Sequence, residues 1–185
     1  MRVIAGSRRS LKLVTVEGMD VRPTTDRTKE TLFNILNPYI ADCEFLDLFS
    51  GSGAIGIEAL SRGAKRAVMV EQSKQALACI DKNLTVTRFK EQAEVMAQDV
   101  FMALKALETK GKAFDIIFMD PPYNNELERR VLERLSGSPL VGSDTWIIAE
   151  ASNETDFSYL PSLNFELDRE KIYKNNKHVF ISPVK

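Results

Sequence analysis

The segment FMDPPY at residues 118–123 combines residue types that could hold a flat ring bearing an amine. It closes an apolar run, 114–119, which predicts a buried β-strand that ends before Asp120. The two prolines would fix the backbone and leave carbonyl oxygens free of local partners. An exocyclic amine could then donate to Asp120 and to the Pro121 carbonyl, while Tyr123 stacks on the base. A simple strand terminator is the alternative interpretation.

A glycine-rich turn comes earlier in the chain, in LDLFSGSGAIG at residues 46–56. Its glycines have the spacing G-x-G-x-x-G between a predicted strand and a predicted helix, where a ligand can approach the backbone and meet free N–H groups. Glu71 ends the next predicted strand, 20 residues after the first of these glycines, where a carboxylate can bind ribose hydroxyls. The arrangement predicts a nucleoside cofactor. The glycines are Gly51, Gly53 and Gly56.

Asp47 discriminates between nucleoside cofactors because it lies inside the strand, four residues before the first glycine. Its carboxylate would repel a pyrophosphate and attract an ammonium group. S-adenosylmethionine has an amino-acid tail, a sulfonium and no phosphate, so the sequence favours it. Asp99, after the third predicted strand, could accept the adenine amino group or cap the helix near Val100. As structural alternatives, Asp47 could be a satisfied strand-end acid and Glu71 a surface acid before a helix cap.

A methyl-donating cofactor and a firmly held amine together predict methyl transfer. The main requirement is to hold the amine nitrogen in line with the sulfonium methyl, and such positioning can lower a barrier by about 7–11 kcal/mol. No strong base is needed before transfer, because the amine becomes acidic only once it is alkylated. The single histidine, His178, falls in a predicted terminal hairpin, so histidine acid–base catalysis is not expected.

The elements that would position these residues alternate along the chain from Phe45 onward. Four apolar runs are each followed by a segment of helical periodicity, and a fifth run, WIIAE at 146–150, precedes two strands around an Asn-Asn turn. The pattern predicts an α/β fold: a doubly wound, mostly parallel seven-stranded sheet with a C-terminal antiparallel hairpin. The fourth strand should lie beside the first, with the ligand beyond the carboxyl ends of the strands.

The first part of the chain, 1–40, is predicted to form a small appendage in front of a domain that spans 41–185. Two short strands, 2–5 and 11–16, would form a β-hairpin, and a helix near 26–37 would follow. Its first 16 residues carry four basic side chains and no acid, whereas the whole chain has a net charge of −1. This asymmetry predicts contact with a polyanion, although a solvated surface explains the charge equally well.

Composition excludes several other classes. The chain has 185 residues, 44% of them hydrophobic, which suits one domain with its own core. Its two cysteines, Cys43 and Cys79, are far apart and have no metal-binding spacing, so no metal is expected. No apolar run approaches the roughly 20 residues of a membrane span, and no signal peptide is evident. The sequence therefore predicts a cytoplasmic protein, with a monomer as the default.

The DPPY segment after such a turn resembles the amino-methyltransferases, which methylate exocyclic nitrogens of adenine, cytosine, guanine or glutamine. A longer set of segments resembles the RsmD family of bacterial 16S ribosomal RNA guanine-N2 methyltransferases, from residue 1 to about residue 150. These segments are MRVIAG (1–6), RPTTDR (22–27), KETLFNIL (29–36), LDLFSGSGAIGIEALSRGA (46–64), VE (70–71) and FDIIFMDPPY (114–123).

The resemblance implies a Rossmann-like class I methyltransferase with S-adenosylmethionine as donor. It implies the guanine numbered 966, in the assembled small ribosomal subunit, as target. Ser10-Leu11 and Tyr173-Lys174 depart from the family's Gly-Arg and Tyr-Gly, which affects the expected RNA contacts and not the catalytic centre. The implied groups are Asp120, Pro121, Pro122 and Tyr123 at the amine; Asp47, Gly51, Gly53, Gly56, Glu71 and Asp99 at the cofactor; and Arg8, Arg9, Lys12, Arg22 and Arg27 at RNA phosphates.

Three alternatives compete with this interpretation. A DNA adenine-N6 methyltransferase shares the DPPY chemistry, but the predicted repeats leave no room for a region that reads the target. A nicotinamide-dependent oxidoreductase shares the glycines and Glu71 and leaves Asp47 and the DPPY segment unexplained. A non-catalytic RNA-binding relative would be expected to have lost one of these motifs, and both are intact.

Overall fold

The computed structural model of the chain describes residues 1–16, 26–122 and 126–185. The chain divides into two compact units, Met1–Asp99 and Val100–Lys185. Both units are built from strands and helices that alternate along the sequence, as the apolar runs predicted. The division into an N-terminal appendage (1–40) and a domain (41–185) stays a prediction.

The first unit contains α1 (Asp26–Ile40), β1 (Glu44–Asp47), α2 (Ala54–Ser61), β2 (Arg66–Glu71), α3 (Lys74–Thr87) and β3 (Ala93–Ala97). Its strands are parallel, in the order β3-β2-β1. All of β1 and the four central residues of β2 are buried. Such continuous burial is typical of parallel strands covered on both faces.

The second unit contains α4 (Val100–Glu108), β4 (Phe114–Met119), α5 (Leu127–Leu135), β5 (Val141–Ser152), a 3₁₀ helix (Leu160–Leu163), β6 (Phe165–Ile172) and β7 (Asn176–Pro183). Its strand order is β4-β5-β7-β6. The pair β4–β5 is parallel, whereas β7 pairs antiparallel with both β5 and β6. The terminal hairpin predicted around the Asn-Asn turn is therefore confirmed.

The seven strands give the mostly parallel sheet with an antiparallel C-terminal hairpin that the sequence predicted, and they confirm the α/β, Rossmann-like class. The boundaries differ in places. Helix α1 continues past Pro38 to Ile40, since a proline in the last turn removes few helical hydrogen bonds. Strand β5 starts before 146–150 because Val141 already pairs with Phe114. The 3₁₀ helix has no periodicity that could have predicted it.

The predicted N-terminal hairpin has antiparallel pairing, but only as a single bridge between Arg2 and Lys12. Backbone hydrogen bonds join its two arms, from the Val3 N–H to the Leu11 carbonyl at 2.9 Å and from the Leu13 N–H to the Met1 carbonyl at 3.0 Å, and its turn is also bonded to the end of α2. The Ser7 N–H donates to the Ser61 carbonyl at 2.7 Å. Gly6 has a φ of +82°, and a Cβ there would lie 1.8 Å from the same oxygen. Only glycine allows this close approach.

Within the described part of the chain, no helix is both long enough and apolar enough to cross a membrane. The same residues contain no cluster of histidine, cysteine, aspartate and glutamate that could hold a metal ion. Cys43 and Cys79 are free and buried, as expected for reduced thiols in a core.

Candidate active site

The glycine-rich turn joins β1 to α2 and opens toward free space. Gly51 and Gly53 have φ angles of 52° and 78°, in the left-handed region that favours glycine. The Gly53 N–H donates to the Ser50 carbonyl at 2.7 Å and closes the turn. A Cβ on Gly51 would meet no atom within 4 Å. The turn therefore leaves room for a ligand against the backbone before α2 begins.

Gly56, the third glycine of the motif, lies in the packing between α2 and β2. A Cβ there would lie 2.6 Å from the terminal methyl group of Met69, so a larger residue would have to displace that side chain. Its N–H donates to Asp47 Oδ2 at 3.2 Å. Direct contact between Gly56 and the cofactor stays a prediction.

Asp47 lies directly beneath the turn and is completely buried. Oδ2 accepts the Gly56 N–H, whereas Oδ1 has no hydrogen-bond partner among the described residues. Burial raises the pKa of Asp47 to about 7, and the negative charge of Glu71 adds to the rise, while the Gly56 N–H opposes it. An ionised carboxylate here is thus under-compensated, and a positive group at the turn would stabilise it.

Glu71, at the end of β2, is hydrogen-bonded to the same turn. Oε2 accepts the Gly51 N–H at 2.9 Å, and Oε1 accepts the N–H groups of Gln72 and Ser73, both at 2.8 Å. A carboxylate has about four acceptor sites, so Glu71 retains capacity for a hydroxyl donor. Asp99 is exposed and immediately precedes α4, which fits both roles considered for it.

The DPPY segment follows β4 in the second unit, as predicted. Asp120 is half-buried, Pro121 is buried and Pro122 is exposed. Tyr123 lies outside the described residues. In the parallel pairing of β4 with β5, Met119 is opposite Ala149. Parallel strands advance by the same distance per residue. Asp120, after β4, and Glu150, in β5, therefore lie at the same height along the two strands.

Glu150 belongs to a buried network that the sequence did not reveal. Its Oε2 lies 3.0 Å from His178 Nε2, and its Oε1 accepts a hydrogen bond from the Asn176 side chain. The Tyr173 hydroxyl lies 3.2 Å from His178 Nδ1. Burial and the Glu150 charge raise the pKa of Tyr173 to about 12. The network depends on antiparallel pairing between β5 and β7, so no local spacing could predict it.

Another unpredicted network anchors the N-terminal segment in the first unit. Glu58 Oε2 accepts the Ile4 N–H at 2.8 Å and lies 3.3 Å from Lys29 Nζ. Oε1 accepts the Ala5 N–H at 3.0 Å and Arg62 Nε at 2.8 Å. Burial lowers the pKa of Lys29, and the Glu58 charge opposes this. The spacing of Glu58 on α2 and Arg62, the residue that caps the helix four positions later, was the only sequence signal.

Asn83 of α3 connects the N-terminal segment to the glycine-rich turn. Its side chain accepts the Val14 N–H at 2.8 Å and donates to the Val14 carbonyl at 2.9 Å. The same amide nitrogen lies 2.9 Å from the Ser52 carbonyl of the turn. A lone asparagine in a helical pattern gives no hint of this role, because both partners are distant in sequence.

The predicted RNA-binding residues differ in their surroundings. Arg8 Nε donates to the Thr87 carbonyl at 2.7 Å, and its guanidinium lies over the Phe89 ring at 5.4 Å. The side chains of Arg9, Lys12 and Arg27 are exposed, whereas Arg22 lies outside the described residues.

A Rossmann-like sheet, an open glycine-rich turn over a buried acid and an Asp-Pro-Pro segment after β4 define the class of protein as a methyltransferase. Over residues 1–182 the chain matches the family described as Conserved hypothetical protein 95. It belongs to this family, which is the RsmD family.

Three relatives illustrate the similarity. Ribosomal RNA small subunit methyltransferase D of Escherichia coli (strain K12) is 36% identical over 172 residues, which cover 93% of this chain and 84% of that protein. Its namesake in Haemophilus influenzae is 39% identical, covering 92% and 88%. The solved structure of Escherichia coli yhhF has a TM-score of 0.85 and 34% identity, covering 99% of this chain and 97% of that one.

Family membership confirms both the resemblance and the methyl donor, S-adenosylmethionine, predicted from the sequence. The residues present fit this donor. Asp47 has an unpartnered buried oxygen that favours a positive group, and Gly51 leaves open space at the turn. The roles of the individual site residues are addressed below as proposals.

Proposed function

We propose that the protein transfers a methyl group from S-adenosylmethionine to the exocyclic N2 amine of a guanine in 16S ribosomal RNA. The proposed target is the guanine numbered 966 in the assembled small subunit. Identity to two small subunit rRNA methyltransferases over more than nine-tenths of the chain carries this proposal. Such a substrate also favours a cytoplasmic location, and we propose a monomer.

In the proposed cofactor site, S-adenosylmethionine supplies the reactive methyl group. The Asp47 charge beneath the turn favours the cofactor ammonium group, because a buried charge is poorly screened. Gly51 and Gly53 let the ligand approach the backbone. Glu71 accepts hydrogen bonds from the ribose hydroxyls, and Asp99 accepts one from the adenine amino group.

At the proposed target site, Asp120 and the Pro121 carbonyl accept the two N–H groups of the guanine amine. Pro122 restricts the backbone conformation of the segment, and Tyr123 stacks on the base. Holding both N–H groups would leave the nitrogen lone pair free to take the methyl group that S-adenosylmethionine would supply, with the electron pair of the broken S–C bond staying on sulfur. After transfer the nitrogen is positively charged. One N–H bond then breaks, its electron pair stays on nitrogen, and Asp120 accepts the proton.

The decisive experiment incubates the protein with tritiated S-adenosylmethionine and three substrates. These are small subunits that lack the modification, naked 16S RNA and unmethylated duplex DNA. We expect label in the RNA of the subunits, mapped to guanine N2. Label in DNA alone would overturn the RNA assignment and support an adenine-N6 methyltransferase instead. Label in naked RNA but not in subunits would overturn the assembled substrate.

Replacing Asp120 tests the proposed amine site separately from the cofactor site. We expect Asp120→Ala to abolish methyl transfer and to leave the Kd for S-adenosylmethionine within a few-fold, because the carboxylate holds the amine and not the cofactor. Asp115→Ala, at an exposed position of the preceding strand β4, is the matched control and should keep its activity. Lost cofactor binding by a folded Asp120→Ala variant would contradict the assigned role.

A further inference from the structure

We infer that Arg88, at the carboxyl end of α3, forms one RNA-binding surface with the basic turn that carries Arg8, Arg9 and Lys12. We call these four residues the basic surface. The inference rests on the proposed RNA substrate and adds a residue that no motif in the sequence indicates. The ligand of this surface is the phosphate backbone of the RNA.

Arg8 brings the two segments together, although they are 79 residues apart. Its Nε donates to the Thr87 carbonyl at 2.7 Å, and its guanidinium lies over the Phe89 ring at 5.4 Å. Both partners are buried and flank Arg88, whose side chain is exposed. The basic turn is thus fixed against the end of α3 at the position of Arg88.

Hydrogen bonds within the first unit fix the conformation of the basic turn. The Arg8 N–H donates to Ser61 Oγ at 3.0 Å, and Ser61 Oγ donates to the Ala5 carbonyl at 2.6 Å. The Ser7 N–H donates to the Ser61 carbonyl, where Gly6 allows the close approach. A turn fixed in this way loses little conformational freedom when it binds, which favours affinity.

The charges of the basic surface are available to a partner. Several other basic side chains of the first unit are paired with acids: Arg62 with Glu58, Arg66 with Glu94 and Lys90 with Asp81. The exposed side chains of Arg9, Lys12 and Arg88 have no ion pair within the described residues. Pairing with Lys90 also offsets the charge of Asp81, whereas Glu91, three residues after Arg88, is exposed.

The backbone gives an independent reason to assign a function to Arg88. The residue ends α3 with a φ of 60° and a ψ of 37°, in the left-handed region where glycine is favoured. Hydrogen bonds from the Arg88 and Phe89 N–H groups close the helix there, but the exposed arginine side chain adds no packing, and glycine would adopt the same conformation at lower cost. Strain at a residue that could easily be glycine points to selection for something other than stability.

This strain makes a sharp test possible in the full-length protein. We expect Arg88→Gly to raise Tm by about 2–4 °C, because glycine relieves the left-handed conformation. We expect the same change to weaken binding to small subunits lacking the modification by about 5-fold near 0.1 M salt. The slope of log K against log salt should fall by about 0.7–0.9, as for one lost phosphate contact. A purely structural residue would not combine higher Tm with weaker binding.

Three matched variants separate charge from backbone. Arg88→Lys keeps the charge and the strain, so it should bind RNA like the wild type without a gain in Tm. Lys82→Gln removes an exposed charge elsewhere on α3 and should leave the salt slope unchanged. Asp42→Gly relieves another left-handed residue, with a φ of 59°, and should raise Tm without weakening RNA binding.

The outcomes distinguish this inference from the proposed function. An unchanged salt slope in Arg88→Gly, together with weaker binding by Arg9→Glu, would overturn the inference and leave the function intact. A wild-type protein that neither binds nor methylates the small subunit would overturn both.

Discussion

Two completely buried acids in the first unit, Glu58 and Asp47, have opposite surroundings. Glu58 is bound by four donors: two backbone N–H groups and the side chains of Lys29 and Arg62. The Asp47 carboxylate accepts the Gly56 backbone N–H, Ser50 and Phe49 also favour its charge, and its Oδ1 has no partner among the described residues. The charge of Glu58 is thus fully compensated by its donors, whereas the charge of Asp47 is compensated only in part.

This difference in compensation indicates a structural role for Glu58 and a ligand-binding role for Asp47. A buried charge is tolerated when it is paired and hydrogen-bonded, and Glu58 satisfies both conditions while it fixes the N-terminal segment. Asp47 does not, and the rise of its pKa to about 7 is the physical sign of the missing compensation. The missing partner fits the ammonium group of the proposed cofactor. The comparison predicts that mutations at the two acids have opposite effects on stability.

The largest expected effect is at the compensated acid. Glu58→Ala leaves Lys29 and Arg62 without their buried counter-charge, so the free energy of unfolding should fall by roughly 3–5 kcal/mol. Urea denaturation measures this change. Glu30→Ala, at an exposed position of α1, is the control and should stay within about 0.5 kcal/mol of the wild type. A loss below 1 kcal/mol at Glu58 would show that the network is not an anchor.

At Asp47, whose charge is compensated only in part, we expect a substitution to stabilise the protein instead of destabilising it. Asp47→Asn should weaken S-adenosylmethionine binding roughly tenfold, about 1.4 kcal/mol, because it removes the charge that favours the ammonium group. It should also raise Tm of the cofactor-free protein at pH 8. Titration calorimetry and thermal unfolding test the two halves. Lower Tm with unchanged affinity would mean that Asp47 is a structural acid like Glu58.

The pH dependence of the stability gain follows from the sign of the shift. The unfolded pKa of Asp47 is near 3.8 and the folded pKa is about 7, so ionisation disfavours the folded state. Its contribution to stability is complete below the unfolded pKa and is lost as pH rises to about 7. The gain in Asp47→Asn should therefore grow between about pH 4 and 7 and then level off. A pH-independent gain would exclude ionisation of Asp47 as its cause.

The smallest expected effect is on cofactor affinity in the wild type. Only the ionised form of Asp47 attracts the ammonium group, so the affinity should fall as pH drops below about 7, by no more in total than the roughly tenfold loss expected for Asp47→Asn. Titration calorimetry between pH 5.5 and 7.5 measures this slope. The slope should disappear in Asp47→Asn. The same slope in that variant would assign the titration to another group.

Structural elements that depend on the local periodicity of the sequence were predicted well. The runs that became β2 and β4, and the glycines between β1 and α2, were identified because period, length and turn chemistry are short-range properties. The apolar face of α1 was equally clear, and Leu32, Phe33 and Leu36 are buried. Helix ends and the extent of β5 were less accurate, since pairing with a neighbouring strand decides them.

Contacts between distant segments could not be predicted in the same way. Glu58, Asn83 and Glu150 are ordinary polar residues in the sequence, and each proved to be buried and hydrogen-bonded to residues far away. Arg8 was predicted to contact RNA from its charge, and its bond to the Thr87 carbonyl was not. Their partners are brought close only by the packing of helices and strands.

By itself, the sequence determined the α/β class, the glycine-rich turn, the DPPY segment and the methyl donor, because each depends on residue types at short spacing. Only the tertiary structure decided how each buried charge is compensated. Compensation depends on which donors lie within about 3 Å, and folding brings those donors from distant parts of the chain. Spacing already distinguished Asp47, four residues before Gly51, but only the tertiary structure shows that Glu58 is paired and that an oxygen of Asp47 has no partner among the described residues.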